Sequence, residues 1–328
     1  MVPLSVTDMH TGGEPVRIVT AGWPEVFGST ILEKRVFARE HHDHLRKILM
    51  FEPRGHYDMY GVLMVGPSIP GADLAVLFMH NEGWSTMCGH AVIAMARYAV
   101  DHGMVATREP VTRVGVECPC GLVVADVEVV GGKARAVSFE SVPAFLAVGD
   151  LGVDVPGFGA IVCDVAYGGA FYALADCGQF GLAFGKSRVR DFVDAASALS
   201  EAVRNKYVLS HPDSRELEFL YGSILTDGGE GGHSPTRNIC VFADAEVDRS
   251  PTGSGVTARV AAMHAKGTIC LGETRIFESI TGARFSGSVA RVLAGSVTVR
   301  VGGRAFYSGK AEYVVEPDDP LGGGFLVR

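Results

Sequence analysis

The sequence predicts an α/β (α+β) protein of two pseudo-symmetric halves, each a sheet wrapped around one apolar helix. Three observations carry that expectation. The chain has 328 residues, enough for two domains of about 150 residues each. A short internal repeat recurs half the chain apart. Between the copies, β-rich runs are punctuated by 42 glycines, which suits many tight turns between short strands.

The repeat comes first because it sets the symmetry. Residues 88–103 (CGHAVIAMARYAVDHG) align without a gap on residues 252–267 (TGSGVTARVAAMHAKG). Gly89 falls on Gly253, Val92 on Val256, Ala94 on Ala258 and Gly103 on Gly267. Both segments are small and apolar over a helical length, and both end in a glycine fit for a C-cap. Upstream, Thr86 matches Ser250 as a hydroxyl suited to an N-cap. Met87 matches Pro251, and proline favours the first helical position. A helix apolar nearly all round is expected inside a sheet and not on a surface.

Along the rest of the chain, residues 111–130 read as two strands around the turn Pro119-Cys120-Gly121. Strand-like runs follow at 159–174, 239–242 and 289–315. Residues 188–206, rich in Ala, Val and Leu, read as a helix, and residues 228–234 (GGEGGHS) as a loop. Turns at Gly131-Gly132 and Gly295 place the crossovers, giving a first half of residues 1–132 with 296–328 and a second half of 133–295.

Composition narrows the function. The net charge is −8 with no basic run to neutralise a phosphate backbone, so nucleic acid is not an expected partner. No window approaches the roughly 20 apolar residues of a membrane helix. The first eleven residues lack the pattern of a signal peptide. Seven cysteines in a chain too large to need disulfide staples are expected as free thiols in a reducing cytoplasm.

If the halves face each other, both helix starts point into the cleft between them. A helix N-terminus offers unpaired N–H groups and partial positive charge. Two such ends, with Gly89-His90 and Gly253-Ser254 allowing close approach, suit a carboxylate. The same field favours a thiolate at Cys88, placed to take the α-proton of a bound amino acid. The N–H groups that hold the carboxylate would stabilise its developing enolate charge. This chemistry requires no metal and no pyridoxal cofactor. Thr252 stands where a second thiol would be, and a hydroxyl is too weak an acid to act as one. One-base elimination of a β-leaving group therefore follows more naturally than inversion.

The motifs MCGH at Met87 to His90, DRSPTGSG at Asp248 to Gly255 and DMHTGGEP at Asp8 to Pro15 resemble the proline racemase family. The resemblance spans nearly the whole chain, including VDVPG, YGGAFYA and DDPL further along. It implies the fold of diaminopimelate epimerase, with a curved, mainly antiparallel sheet around a central helix in each half. Racemases and epimerases of the family usually carry cysteine at the position of Thr252. Cys88 with Thr252 looks like the branch that dehydrates trans-3-hydroxy-L-proline to Δ1-pyrroline-2-carboxylate. By the same resemblance, Gly89, His90, Gly253 and Ser254 would contact the substrate carboxylate. Asp248 would pair with the ring ammonium near His90, and the protein would be a homodimer. The alternatives are that Asp248 complements its helix dipole and that His90 is satisfied within the wall. Thr252 is left between bonding the departing hydroxyl and capping its helix.

Other signals are set aside. Glu40-His41-His42-Asp43-His44 lacks the spacing of a zinc pair and reads as a solvated surface segment. Cys118 and Cys120 read as packing residues; His10, Thr11 and Gly12, in a family motif, could line the cleft or form an ordinary turn and stay outside the catalytic set. No nucleophile elbow or P-loop appears. The competing readings are a 4-hydroxyproline 2-epimerase or proline racemase, disfavoured by Thr252, and a non-catalytic amino-acid-binding protein, disfavoured by Cys88.

Overall fold

The computed structural model describes residues 3–212, 215–232 and 235–327. By its internal contacts the chain forms two compact units, Met1–Phe139 with Arg304–Arg328, and Glu140–Gly303. The glycines read as crossovers are turns between strands. Gly131 and Gly132, both at positive φ, separate Gly121–Val130 from Lys133–Glu140, and Gly295 separates Arg284–Leu293 from Ser296–Gly303. The division between units falls one strand further on in each case.

In the first unit, the neighbouring strands are Ala305–Tyr313, Leu4–Thr11, Glu14–Ala21, Gly61–Val65, Leu74–Met79, Val111–Cys118 and Gly121–Val130. Two of the pairings are parallel, Glu14–Ala21 with Gly61–Val65 and Leu74–Met79 with Val111–Cys118. A parallel pairing needs a long crossover. Helices α1 (Ile31–His41) and α2 (Asp43–Met50) span the first, and α3 (Gly89–Asp101) spans the second. The strands at both ends of this order, Ala305–Tyr313 and Gly121–Val130, touch α3. The sheet therefore curves around the helix, and 11 of its 13 residues are buried.

The second unit repeats the plan. Its order is Phe145–Val155, Gly159–Tyr167, Phe171–Asp176, Leu220–Thr226, Thr236–Phe242, Thr274–Glu278, Arg284–Leu293 and Ser296–Gly303. Parallel pairings again stand at two joints. They are spanned by α4 (Val189–Lys206) and α5 (Gly253–Ala265). The first and last strands both touch α5, which likewise buries 11 of 13 residues. The internal repeat thus extends from two helices to whole sheets. The strands expected from 111–130, 159–174, 239–242 and 289–315 are all present, as is the helix expected from 188–206.

The helix ends are matched as well. Gly103 and Gly267 take left-handed backbone at φ 65° and 73°. Met104 N–H reaches Ala99 O at 2.9 Å, and Thr268 N–H reaches Met263 O at 2.8 Å. Gly103 and Gly267 N–H bond the carbonyls of Val100 and His264, completing the glycine-terminated cap expected of both. The starts differ from expectation. The caps are Cys88 and Thr252, with the helices opening at Gly89 and Gly253. Thr86, Met87, Ser250 and Pro251 lie before the caps, in segments whose carbonyls are held from outside the helices. Cys120 N–H donates to Thr86 O, Ser85 Oγ to Met87 O, and Asn238 Nδ2 to Pro251 O.

The histidine-rich segment also departs from expectation. It is the joint between α1 and α2, with His41 and His44 exposed but His42 buried. His42 Nδ1 accepts the indole N–H of Trp23 at 3.2 Å. Burial, then the charges of His44 and His41, push its pKa down. Among the described residues, no group of three or more His, Cys, Asp or Glu side chains is placed to hold a metal ion. All seven cysteines are free. No described helix is long and apolar enough to cross a membrane. Within the expected loop 228–234, residues 229–231 form a short 3-10 turn, while His233 and Ser234 lie outside the described residues.

Candidate active site

Cys88 ends the segment leading out of Leu74–Met79 and takes extended backbone at the cap of α3. Its sulfur accepts the N–H of Ala91 at 3.4 Å, filling the place of a capping oxygen. His90, one turn-step inside, brings Nδ1 to 3.0 Å and Nε2 to 3.5 Å from the same sulfur. At 3.0 Å, thiol and imidazole can share one proton. The sulfur is thus held between a helix N-terminus and an adjacent imidazole. The residue is 5% exposed, so little water competes for it.

Two neighbours fix His90. Tyr60 packs edge-on to its ring with centroids 4.8 Å apart. Thr11 Oγ1 donates to His90 O at 2.9 Å and ties the first turn of α3 to the strand Leu4–Thr11. Thr11, left by the sequence between lining the cleft and an ordinary turn, is thus a positioning residue of this helix start. The sequence signal for it was its place in DMHTGGEP. The contact between His90 and the sulfur had no signal beyond proximity in the chain.

The equivalent place in the second unit differs. Thr252 holds φ 66° and ψ 100°, a region that β-branched residues rarely enter and that costs of order 1–3 kcal/mol. Its neighbours over-determine it. Asp248 Oδ1 accepts Ser250 N–H at 2.7 Å, and Ser250 Oγ accepts Thr252 N–H at 3.0 Å. Thr252 O accepts Val256 N–H at 2.7 Å. The Thr252 side chain makes no capping bond, and its hydroxyl is buried without a hydrogen-bond partner. That removes capping from the two roles left open for it. Ser254 Oγ lies 2.7 Å from the hydroxyl of Tyr172, a fully buried ring. Burial first, then nearby Cys240, Tyr221 and Asp248, pushes the Tyr172 phenol well above its ordinary pKa, so it stays protonated. Asp248 is 2% exposed. Gly168, in YGGAFYA, sits so close to this helix that a Cβ would meet Ser254 O at 2.2 Å.

The structure therefore gathers Cys88, Gly89 and His90 at one buried helix start, and Asp248, Thr252, Gly253 and Ser254 at another. The profile described as Proline racemase matches residues 6–326. The chain belongs to the proline racemase family.

Within that family, it is 54% identical to trans-L-3-hydroxyproline dehydratase of Xenopus tropicalis over 332 residues, covering 99% of this chain and 95% of that one. It is 44% identical to 3-hydroxyproline 2-epimerase of Burkholderia multivorans, covering 99% and 98%. A solved hydroxyproline epimerase from Agrobacterium vitis, with bound trans-4-hydroxy-L-proline, superposes with TM-score 0.93 at 28% identity, covering 100% of this chain and 95% of that one. The two-unit fold is that of the family.

One further histidine near this start has a measurable consequence. His80 is wholly buried, and its pKa is pushed down to about 3, by burial first and by the charge of Arg46. It folds neutral, whereas the unfolded chain protonates it near pH 6.5. The unfolded state therefore binds more protons between about pH 3 and 6.5, so this stability is full above pH 6.5 and lost as pH falls. From pH 7 to pH 5 the loss is expected to be about 2 kcal/mol. Urea denaturation at the two values, with His80→Asn as reference, measures it; equal pH dependence in both proteins would refute it.

Proposed function

We propose that the chain dehydrates trans-3-hydroxy-L-proline, with Cys88 as the only proton-abstracting base. The observation that carries this reading is the contrast between equivalent helix starts. One presents a thiol against an imidazole, and the other presents a buried, unpartnered threonine hydroxyl. The 54% identity to a dehydratase over nearly the whole chain supports the same branch.

In this reading both helix starts serve one substrate. N–H groups at Gly89, His90, Gly253 and Ser254 hold the carboxylate, and Asp248 pairs with the ring ammonium. The Cys88 thiolate takes the proton from C2, and the electron pair spreads onto the carboxylate, where the N–H groups stabilise it. The C2=C3 double bond then forms as the C3–O bond breaks. The hydroxyl takes up a proton and leaves as water, with the Thr252 hydroxyl bonded to its oxygen. The resulting enamine tautomerises to Δ1-pyrroline-2-carboxylate. A homodimer in the reducing cytoplasm completes the proposal, and seven free thiols support that compartment.

Steady-state assays on trans-3-hydroxy-L-proline, trans-4-hydroxy-L-proline and L-proline test the reading. Only the first carries a leaving group on the carbon next to C2, so only it is expected to give the pyrroline. Faster epimerisation of the 4-hydroxy compound than turnover of the 3-hydroxy compound would overturn the proposal.

A further inference from the structure

We propose that Arg46, held by Asp43, is a positioning residue for Cys88, acting from helix α2 without touching substrate. The inference rests on the reading of Cys88 as the base. It begins with the segment that delivers the sulfur. Between Leu74–Met79 and α3 the chain has almost no regular structure, only the short strand Trp84–Ser85. Its geometry must come from elsewhere.

Arg46 supplies the root of that geometry. Its side chain is 3% exposed. Nη1 donates to His80 O at 2.7 Å and to Asn81 O at 2.6 Å. Nε and Nη2 donate to the two oxygens of Asp43 at 2.6 and 2.9 Å. Asp43 Oδ1 also accepts the indole N–H of Trp84 at 3.2 Å. Further along, Arg35 donates to Trp84 O at 3.0 Å, and Cys120 N–H donates to Thr86 O at 3.0 Å. The carbonyls of His80, Asn81, Trp84 and Thr86 are thus held by side chains and backbone from outside the segment, and Cys88 follows it.

The residue types are specific to this task. A guanidinium has five donors in a planar fork, and Arg46 directs them to four fixed acceptors. A lysine ammonium is a point charge and cannot reproduce that span. Burial raises the Asp43 carboxyl, but the hydrogen bond and charge of Arg46, the Trp84 indole and Lys47 bring it below its ordinary range. Asp43 is therefore a carboxylate that keeps the fork in place. The histidine-rich stretch is thus not a simple surface segment: it contributes the carboxylate of this clamp.

The test uses the full-length protein carrying Arg46→Lys, with Asp43→Asn as a milder second variant. Two quantities are read: kcat and KM on trans-3-hydroxy-L-proline, and iodoacetamide alkylation of Cys88 relative to exposed Cys270, quantified by peptide mass spectrometry across pH. A misplaced base lowers kcat more than substrate binding. Arg46→Lys is expected to lower kcat about tenfold or more, with KM changed less than about twofold. Its Cys88-to-Cys270 alkylation ratio is expected to shift, and Asp43→Asn to show the same pattern at smaller amplitude. Unchanged kcat and alkylation ratio in folded Arg46→Lys protein, with only thermal stability reduced, would overturn the proposal. If Arg46→Lys fails to fold, Asp43→Asn decides on the same two readouts. Alkylation reports on the sulfur itself, so it judges the clamp even where the dehydration reading fails.

Discussion

Cys88→Ser is expected to lower turnover of trans-3-hydroxy-L-proline by about a thousandfold or more, the scale of losing a positioned general base. The protein should melt within a few degrees of the parent. The substitution exchanges one small atom at a site 5% exposed, and the Ala91 N–H keeps a capping acceptor in the serine oxygen. What it removes is acidity. A serine hydroxyl beside His90 does not ionise as a thiol does, so no competent base faces the α-proton. Full activity in a folded Cys88→Ser protein, measured by pyrroline formation, would refute the assignment.

The second large effect is on stability. Arg259→Met is expected to destabilise the protein by about 2–4 kcal/mol, through lost hydrogen bonds of a buried guanidinium whose partner Glu230 is half-buried. Arg259 is 1% exposed on helix α5. It donates to Glu230 at 2.6 Å, to Asn238 Oδ1 at 2.9 Å and to Thr236 Oγ1 at 2.6 Å. Its guanidinium lies 4.7 Å from the ring centre of Phe277. Methionine fills much of the volume but leaves the buried Asn238 oxygen without this donor, a penalty of about 1–3 kcal/mol for the group left unsatisfied, while Thr236 Oγ1 keeps its bond to Asp227 Oδ1. Urea titration of the intact chain measures the effect. A loss below about 1 kcal/mol would show that these acceptors find other partners, contrary to this account of the helix.

Arg259 also shows where sequence reading reached its limit. It stands in SPTGSGVTAR, a stretch that resembles the family, yet nothing local distinguishes a surface arginine from a buried one. Its partners are distant in the chain. The glycine-terminated helix ends were legible because Gly103 and Gly267 act through their own backbone. The strands at Val111–Cys118 and Gly121–Val130 were legible because β-branched residues flank a turn. Helix starts were less so. Thr86 and Ser250 have the chemistry of caps, but their segments are bound by Cys120 and Asn238, residues that no local pattern connects to them.

The site followed the same division. Cys88 and Thr252 emerged from the repeat, since both stand at the start of a helical run. The imidazole of His90 against the sulfur, the hydroxyl of Thr11 on the first turn, and the pairing of Tyr172 with Ser254 are tertiary contacts. So is the Arg46 fork, which made a role for the histidine-rich stretch invisible from composition alone. The strained backbone of Thr252 could not be read either, because threonine in sequence suggests a helix cap and here its hydroxyl caps nothing.

The most direct test of one-base elimination is proton NMR of trans-3-hydroxy-L-proline incubated with the protein in D₂O. The C2 proton signal should be lost as Δ1-pyrroline-2-carboxylate appears, with remaining substrate keeping its L configuration and no cis-3-hydroxy-D-proline accumulating. Accumulation of that epimer as the main product would mean that a second group serves the opposite face of C2, and would contradict the account.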